Sequence, residues 1–372
     1  MGVLSIGLIF VAFLGPFSLI TFVNADSVIA TIPIKKSPLD LAFNPANDNV
    51  YISQANTGIM SVIDATSNTV IKTVSIANAY LYGIAYNPIN QYVYVANDTG
   101  PMGTVDVIDI SSSSLIKAIP VGDSPVQTVY NPFNGYIYVT ISNSKRVDVI
   151  DPSTNSVTKS VPVGVHPTGI AYNPNNHYIY VANSNQFSSS VSVIDSSTNT
   201  VIKDIPLLGS PWRITFDSNN GNMYVTLITA NMVAVIDGTT NSVIKTIVMP
   251  VFPPYPGSPF PGTSVGSIAY NPSNNFIYVS HLNSQYITGI DDSTNIVTKT
   301  IKVGYYPFTI GYHPNNHNMY VTNFISNTTS VIGTSNETST TPNTTSVIGT
   351  SNETSTTLQT LCPSQYVEHC IQ

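Results

Sequence analysis

One phrase returns seven times along the chain: an aromatic or apolar stretch closing on Asn-Pro, a Tyr-Val pair, a Val-Ile-Asp triplet and a Val-Ile-Lys-Thr run. Aligned on the Asn-Pro step, the units begin at Asn44, Asn87, Asn131, Asn173, Asp217, Asn271 and His313, with successive spacings of 43, 44, 42, 44, 54 and 42 residues. A period of about 43 residues is that of one four-stranded propeller blade. Each unit holds short β-branched and aromatic runs bounded by Asn, Pro, Gly and Ser, which predicts strands without helices. In the second unit the strands are expected at Gly83–Tyr86, Tyr92–Ala96, Val105–Ile108 and Leu115–Ile119.

The termini predict how the ring closes. Val28-Ile29-Ala30-Thr31-Ile32 matches fourth-strand segments such as Val70-Ile71-Lys72-Thr73-Val74, yet it precedes the first Asn-Pro. The seventh unit ends after its third strand at Val331-Ile332, where Gly333 replaces the usual Asp. The N-terminal segment is therefore expected to supply the outer strand of the last blade, leaving only short protected edges. The expected fold is an all-β, seven-bladed propeller over residues 26–333, followed by a disordered tail. Asp64, Asp109, Asp151, Asp195, Asp237 and Asp291 end the third strands and lead into Ser/Thr-x-Asn turns. Six equivalent carboxylates suit turn formation better than a single catalytic centre.

Tyr320-Val321-Thr322-Asn323, with near copies at Tyr94-Val95-Ala96-Asn97 and Tyr180-Val181-Ala182-Asn183, resembles the YVTN-family propeller repeats. The Val-Ile-Asp triplets and the Pro-Val-Gly segments at Pro120 and Pro162 extend the resemblance over residues 26–333. It implies a secreted or surface-layer-associated propeller without an assigned activity. Ile141, Leu227 and His281 depart from the motif, so no site is carried over from the repeat.

Residues 2–23 are apolar and uncharged, and Val23-Asn24-Ala25 offers small residues for signal-peptide cleavage before Asp26. No Lys or Arg precedes this run, and its length also suits an uncleaved membrane anchor. Both readings of residues 1–25 place the propeller outside the cell. Residues 327–342 recur at 343–358 with only Pro342 changed to Leu358, a duplication read as a Ser/Thr-rich stalk over residues 334–360. Its second Ser-Val-Ile, at Ser346–Ile348, is a spare copy of the last third strand. Asn-x-Thr sequons at Asn97, Asn327, Asn336, Asn343 and Asn352 make a glycoprotein one reading and an unmodified tail the other. The segment 361–372 carries both cysteines, Cys362 and Cys370, able to close a loop or to pair with another molecule.

Charged residues form 8% of the chain and the net charge is −7, which removes the basic stripe that nucleic-acid binding needs. Lys72, Lys117, Lys159, Lys203, Lys245 and Lys299 repeat one outer-strand position, where Lys guards an edge. Chemistry is sought where the repeats differ, in the loops around the channel mouth: Asp40, Tyr82, His166, Trp212, Arg213, His281, Tyr306 and Phe308. Trp212 is the only tryptophan and adjoins one of two arginines, a composition found in recognition hot spots; it equally fits a plug at a position held elsewhere by Leu39, Val126, Thr168 and Phe308. The long fifth-to-sixth spacing falls at Pro250–Pro261, with six prolines in twelve residues, a stiff loop read as a lid, a docking segment or a spacer.

All three glutamates lie in the tail, and no nucleophile elbow, metalloprotease helix or phosphate loop is present. No cofactor is expected and no residue is assigned a catalytic role. The expected function is a non-catalytic binding or structural module of the cell envelope, acting on proteins or glycans through the loop-rich face. The alternative is a lactonase-like hydrolase or lyase holding a divalent cation in the channel, with Asn97, Asn183 and Asn323 as ligands and His166 and His281 as acid and base.

Overall fold

The computed structural model describes residues 26–76, 79–185 and 189–334. Residues 1–25, read above as a signal peptide or anchor, and residues 335–372, with Asn336, Asn343, Asn352, the spare Ser346–Ile348 copy, Cys362 and Cys370, lie outside the described residues. Seven four-stranded antiparallel sheets follow one another around a ring, each formed by consecutive strands except the last. The second blade runs Leu81–Tyr86, Tyr92–Asn97, Gly103–Asp109 and Ser114–Gly122, each strand one to four residues longer than hydrophobicity alone predicts. The last blade orders its inner strand Pro307–Tyr312, then Met319–Asn323, Thr328–Thr334 and finally the N-terminal strand Asp26–Pro33. Val28 faces Ile332 and Ile32 faces Thr329, so the first strand of the chain closes the ring as expected.

Turns follow from short polar side chains. Asp64 accepts from the Thr66 amide at 2.9 Å and the Ser67 hydroxyl at 2.9 Å, and the corresponding carboxylates of the next five blades accept from the amide two residues on in the same way. These bonds hold Asp64, Asp109, Asp195, Asp237 and Asp291 below the usual carboxylate range, as expected where donors favour the charged form. The turns then place Asn68, Asn155, Asn199, Asn241 and Asn295 in the left-handed region that Asn tolerates.

Those asparagines are also the joints between blades. The second-strand tyrosines are almost wholly buried. Tyr94 donates to Asn155 of the next blade at 2.8 Å, Tyr138 to Asn199 at 2.6 Å, Tyr224 to Asn295 at 2.9 Å and Tyr320 to Asn68 at 3.4 Å; Tyr180 reaches Asn241 in the same way. In six blades an Asn three residues after the start of the unit, such as Asn90 or Asn176, donates to the tyrosine hydroxyl, and in the first blade Asn44 itself donates to Tyr51 at 3.0 Å. The repeated lysine reaches the same turn of the next blade: Lys159 Nζ donates to the Thr198 carbonyl at 2.9 Å and Lys203 to that of Thr240 at 3.0 Å. This corrects the reading of these lysines as edge guards. They tie each of the first six blades to the next: five reach carbonyls at the following blade's turn and Lys299 reaches Asp26.

The sixth-to-seventh joint has no such turn, since the last blade borrows its outer strand from the chain start. Asp26 fills the gap with one carboxylate, which accepts from Lys299 Nζ at 2.5 Å, from the Tyr278 hydroxyl and from Asn274 Nδ2 at 3.3 Å. One residue thus replaces both the asparagine and the turn carbonyls of an ordinary joint.

Candidate functional site

The inner strands determine what lines the central channel. Counting four residues back from each Asn-Pro start gives Asp40, Gly83, Gln127, Gly169, Arg213, Ser267 and Thr309, at a bulge where the pairing between first and second strands shifts register. In five blades the backbone amide of this residue is held by a second-strand hydroxyl. Asp40 donates to Ser53 Oγ at 3.1 Å, Gln127 to Thr140 at 3.0 Å, Arg213 to Thr226 at 3.1 Å, Ser267 to Ser280 at 2.8 Å and Thr309 to Thr322 at 2.9 Å. In the two blades with glycine, the hydroxyl is replaced by Ala96 or Ala182. The pairing of Ser/Thr with a side chain and Ala with glycine is legible in the sequence, and it is the signal by which Ser267 and Thr309 could have been found.

The glycines make room for reach across blades. A Cβ on Gly83 would lie 2.5 Å from Gln127 Cα, and one on Gly169 would lie 2.5 Å from the Trp212 carbonyl oxygen. Over Gly83, Gln127 Nε2 of the third blade donates to Asp40 Oδ2 of the first at 2.9 Å, and the Ile84 amide adds a bond at 3.1 Å. Arg213 is 8% exposed and Asp40 3%. They interact as charges, but no ion pair within 4.0 Å joins them among the described residues. Burial pushes the Asp40 carboxyl above its usual range, against the pull of Arg213 and Gln127, and burial draws Arg213 below its ordinary value against the pull of Asp40.

Above this polar ring the mouth is closed by apolar side chains. Leu39, Leu282, Tyr306 and Phe324 form a buried cluster with Tyr82, Ile228, Tyr255 and Phe308 packed against it. Tyr306 lies 6.3 Å from Phe308 and 5.9 Å from Phe324, ring centre to ring centre. The proline loop contributes Tyr255 to this plug and is fastened by the Tyr255 amide to the Asn283 carbonyl at 3.1 Å. Of its three readings, the lid matches this placement. Burial and the charge of Asp98 push the Tyr82 hydroxyl up to about 12.

Trp212 is 7% exposed, with the Arg213 guanidinium 5.4 Å from its ring centre. Its burial fits the plug rather than an exposed rim anchor, like that of the equivalent Leu39, Val126 and Thr168. His281 is fully buried on the second strand of the sixth blade, bonded to Thr288 Oγ1 at 2.9 Å, with Phe252 edge-on at 4.8 Å. His166 occupies a positive-φ position heading the fourth blade, and its carbonyl accepts from the Ser184 amide at 2.9 Å. The two histidines are thus in separate blades, His281 on a strand and His166 in the loop that precedes one.

The asparagines proposed as metal ligands do not converge. Asn97 Nδ2 donates to Asp106 at 2.7 Å, Asn183 to Ser192 at 2.8 Å and Asn323 to Ser330 at 2.9 Å, each within its own blade. They brace second strand to third because this end of the second strand points into the sheet stack and away from the axis. Among the described residues, no group of three His, Cys, Asp or Glu side chains is placed to hold a metal ion. Asn97 is also corrected as a glycan acceptor: it is buried, and its amide nitrogen is engaged by Asp106. Asn327 is exposed, on the turn before the last third strand.

His281 yields a pH prediction. Burial lowers its pKa from 6.5 to about 4, so the folded state holds it neutral while the unfolded chain takes up a proton. The stabilisation is complete above pH 6.5 and is lost as pH falls from there towards about 4. Melting curves across this window should show wild type losing on the order of 3 kcal/mol more than His281→Asn, which carries the residue used in other blades. Parallel curves for the two proteins would contradict the assignment.

Residues 134–341 match the family described as a domain of unknown function, DUF5074. The chain belongs to this family. The match spans more than half of the sequence and covers the blades that carry Arg213, His281 and Thr309. No curated protein sequence matches. Among solved structures, Kuenenia stuttgartiensis hydrazine synthase is similar with a TM-score of 0.67 and 17% identity, over 79% of this chain and 95% of that one. At that identity the likeness concerns the fold: this DUF5074 chain is a β-propeller.

Proposed function

We propose that this propeller is a secreted or cell-surface protein of the YVTN-like type that binds a protein partner of the cell envelope through its loop-rich face, without catalysis. The observation that carries the reading is where the large apolar side chains stay in water. Tyr80, Met102, Leu208, Val251, Tyr305 and Ile325 are exposed on inter-blade or second-to-third-strand loops around the plugged mouth, with Val248 at the end of the outer strand that leads into the proline loop; the other exposed large apolar side chains are spread along the outer strands, except Ile89 and Phe133 on turns of the opposite face. Leu208 is 87% exposed and Val251 75%. Apolar side chains gathered on one face and rimmed by polar loops mark a contact surface. Aliphatic Leu, Val and Ile favour a protein over a glycan, since sugars pack on flat aromatic faces. The uncharged leader and the Ser/Thr-rich tail support an extracellular setting.

The test compares capture from an envelope extract by wild type, by Leu208→Asp/Val251→Asp and by Ile71→Asp on an outer strand. All three should melt within about 0.5 kcal/mol of one another, since the altered residues are exposed. The double variant should lose the proteins that wild type and Ile71→Asp retain. Identical captured sets from all three would remove the face from consideration.

A further inference from the structure

We propose that the central channel is a binding site for a small carboxylic acid bearing a hydroxyl or amino group on the adjacent carbon, anchored by Arg213. This does not rest on the loop-rich face and concerns a different ligand class. The two arginines of the chain are treated differently by the fold. Arg146 pairs with Asp148 at 2.8 Å. Arg213 is more deeply buried, and its Nη1 has no hydrogen-bond partner. Leaving a desolvated guanidinium nitrogen without an acceptor is costly, more so than for a neutral donor.

Other unpartnered buried atoms belong to the equivalent inner-strand position or to the residue beside it. Trp212 Nε1 comes from the neighbouring residue, Thr309 Oγ1 from the equivalent position of the seventh blade and Gln127 Oε1 from that of the third. A planar guanidinium takes a carboxylate through two parallel bonds, and the Trp212 N–H and Thr309 hydroxyl are further donors. Asp40, which interacts with Arg213 as a charge, and Gln127 Oε1, whose amide nitrogen is bonded to Asp40, offer acceptors, which calls for a donor on the ligand beside its carboxylate. Asp40 also opposes a second negative charge, so dicarboxylates and phosphate are disfavoured.

The probes are lactate and glycine, with acetate, phosphate and chloride as comparisons, added while the purified chain refolds from denaturant so that access through the plug is not required. Lactate or glycine at saturation should raise the melting temperature by about 5 °C, acetate by less, and phosphate or chloride not at all. Arg213→Lys keeps the charge but loses the fork, and should abolish the shift. If that variant does not fold, Asp40→Asn serves: it should reduce the advantage of lactate over acetate and admit phosphate. No shift with any acid at tens of millimolar, an equal shift from acetate and lactate, or unchanged preferences in Asp40→Asn would overturn the proposal.

Discussion

Asp26→Ala is expected to lower the stability of the folded chain by about 3 kcal/mol, far more than a change at a strand end ordinarily does. The Asp26 side chain is 4% exposed, and its carboxylate is the common acceptor for Lys299, Tyr278 and Asn274. Removing it strands an ammonium 3.6 Å from the centre of the Phe276 ring and leaves the Tyr278 hydroxyl without its acceptor. The same change at an ordinary joint, Asn241→Ala, removes one acceptor and should cost about 1 kcal/mol. Asp26→Asn keeps an oxygen for Tyr278 but loses the charge facing Lys299, so it should fall between. Urea titrations check the series through the midpoint at constant slope. An Asp26→Ala midpoint equal to that of Asn241→Ala would mean that ring closure relies on strand pairing alone.

Tyr180→Ala should be larger, about 4 kcal/mol, and Tyr180→Phe only about 1 kcal/mol. The ring is fully buried between the fourth and fifth blades, within the cluster of Ala182, Ile214 and Met223, and its hydroxyl links Asn176 with Asn241 across the joint. Truncation opens a cavity where two sheets meet, whereas Phe keeps the volume and loses the bridge. Urea midpoints of the two variants separate packing from hydrogen bonding at a joint that recurs around the ring. A Phe variant as unstable as the Ala variant would mean that the hydroxyl bridge, and not the packed ring, holds neighbouring blades together.

Much of the architecture is legible because a repeat states the same solution seven times. The Asn-Pro step, the alternating strands and the Asp turns each act over a few residues, where side-chain oxygens reach their own backbone, and local pattern suffices to read them. The displaced fourth strand at Val28–Ile32 is legible for the same reason, as one unit found out of order. Candidate site residues fared differently. Asp40 and Arg213 are in the channel, while Asn97, Asn183 and Asn323, grouped by their shared motif, brace separate blades. Motif position says where a residue stands in a blade, but not whether its side chain turns to the axis or into the sheet stack.

The sequence alone therefore determined the period, the number of blades, the all-β class and the use of the first strand to close the last sheet, all consequences of local turn chemistry and hydrophobic alternation. Only the tertiary structure decided that the repeated lysines and tyrosines join neighbouring blades, that Asp26 stands in for a missing turn, and that Trp212 and Arg213 are buried. These depend on contacts between residues some 40 to more than 270 positions apart, as in Lys72 with Ser111 and Lys299 with Asp26. No local pattern encodes such distances; they arise when the blades wrap into a ring and the staggered sheets bring the turns of one blade against the strands of the next.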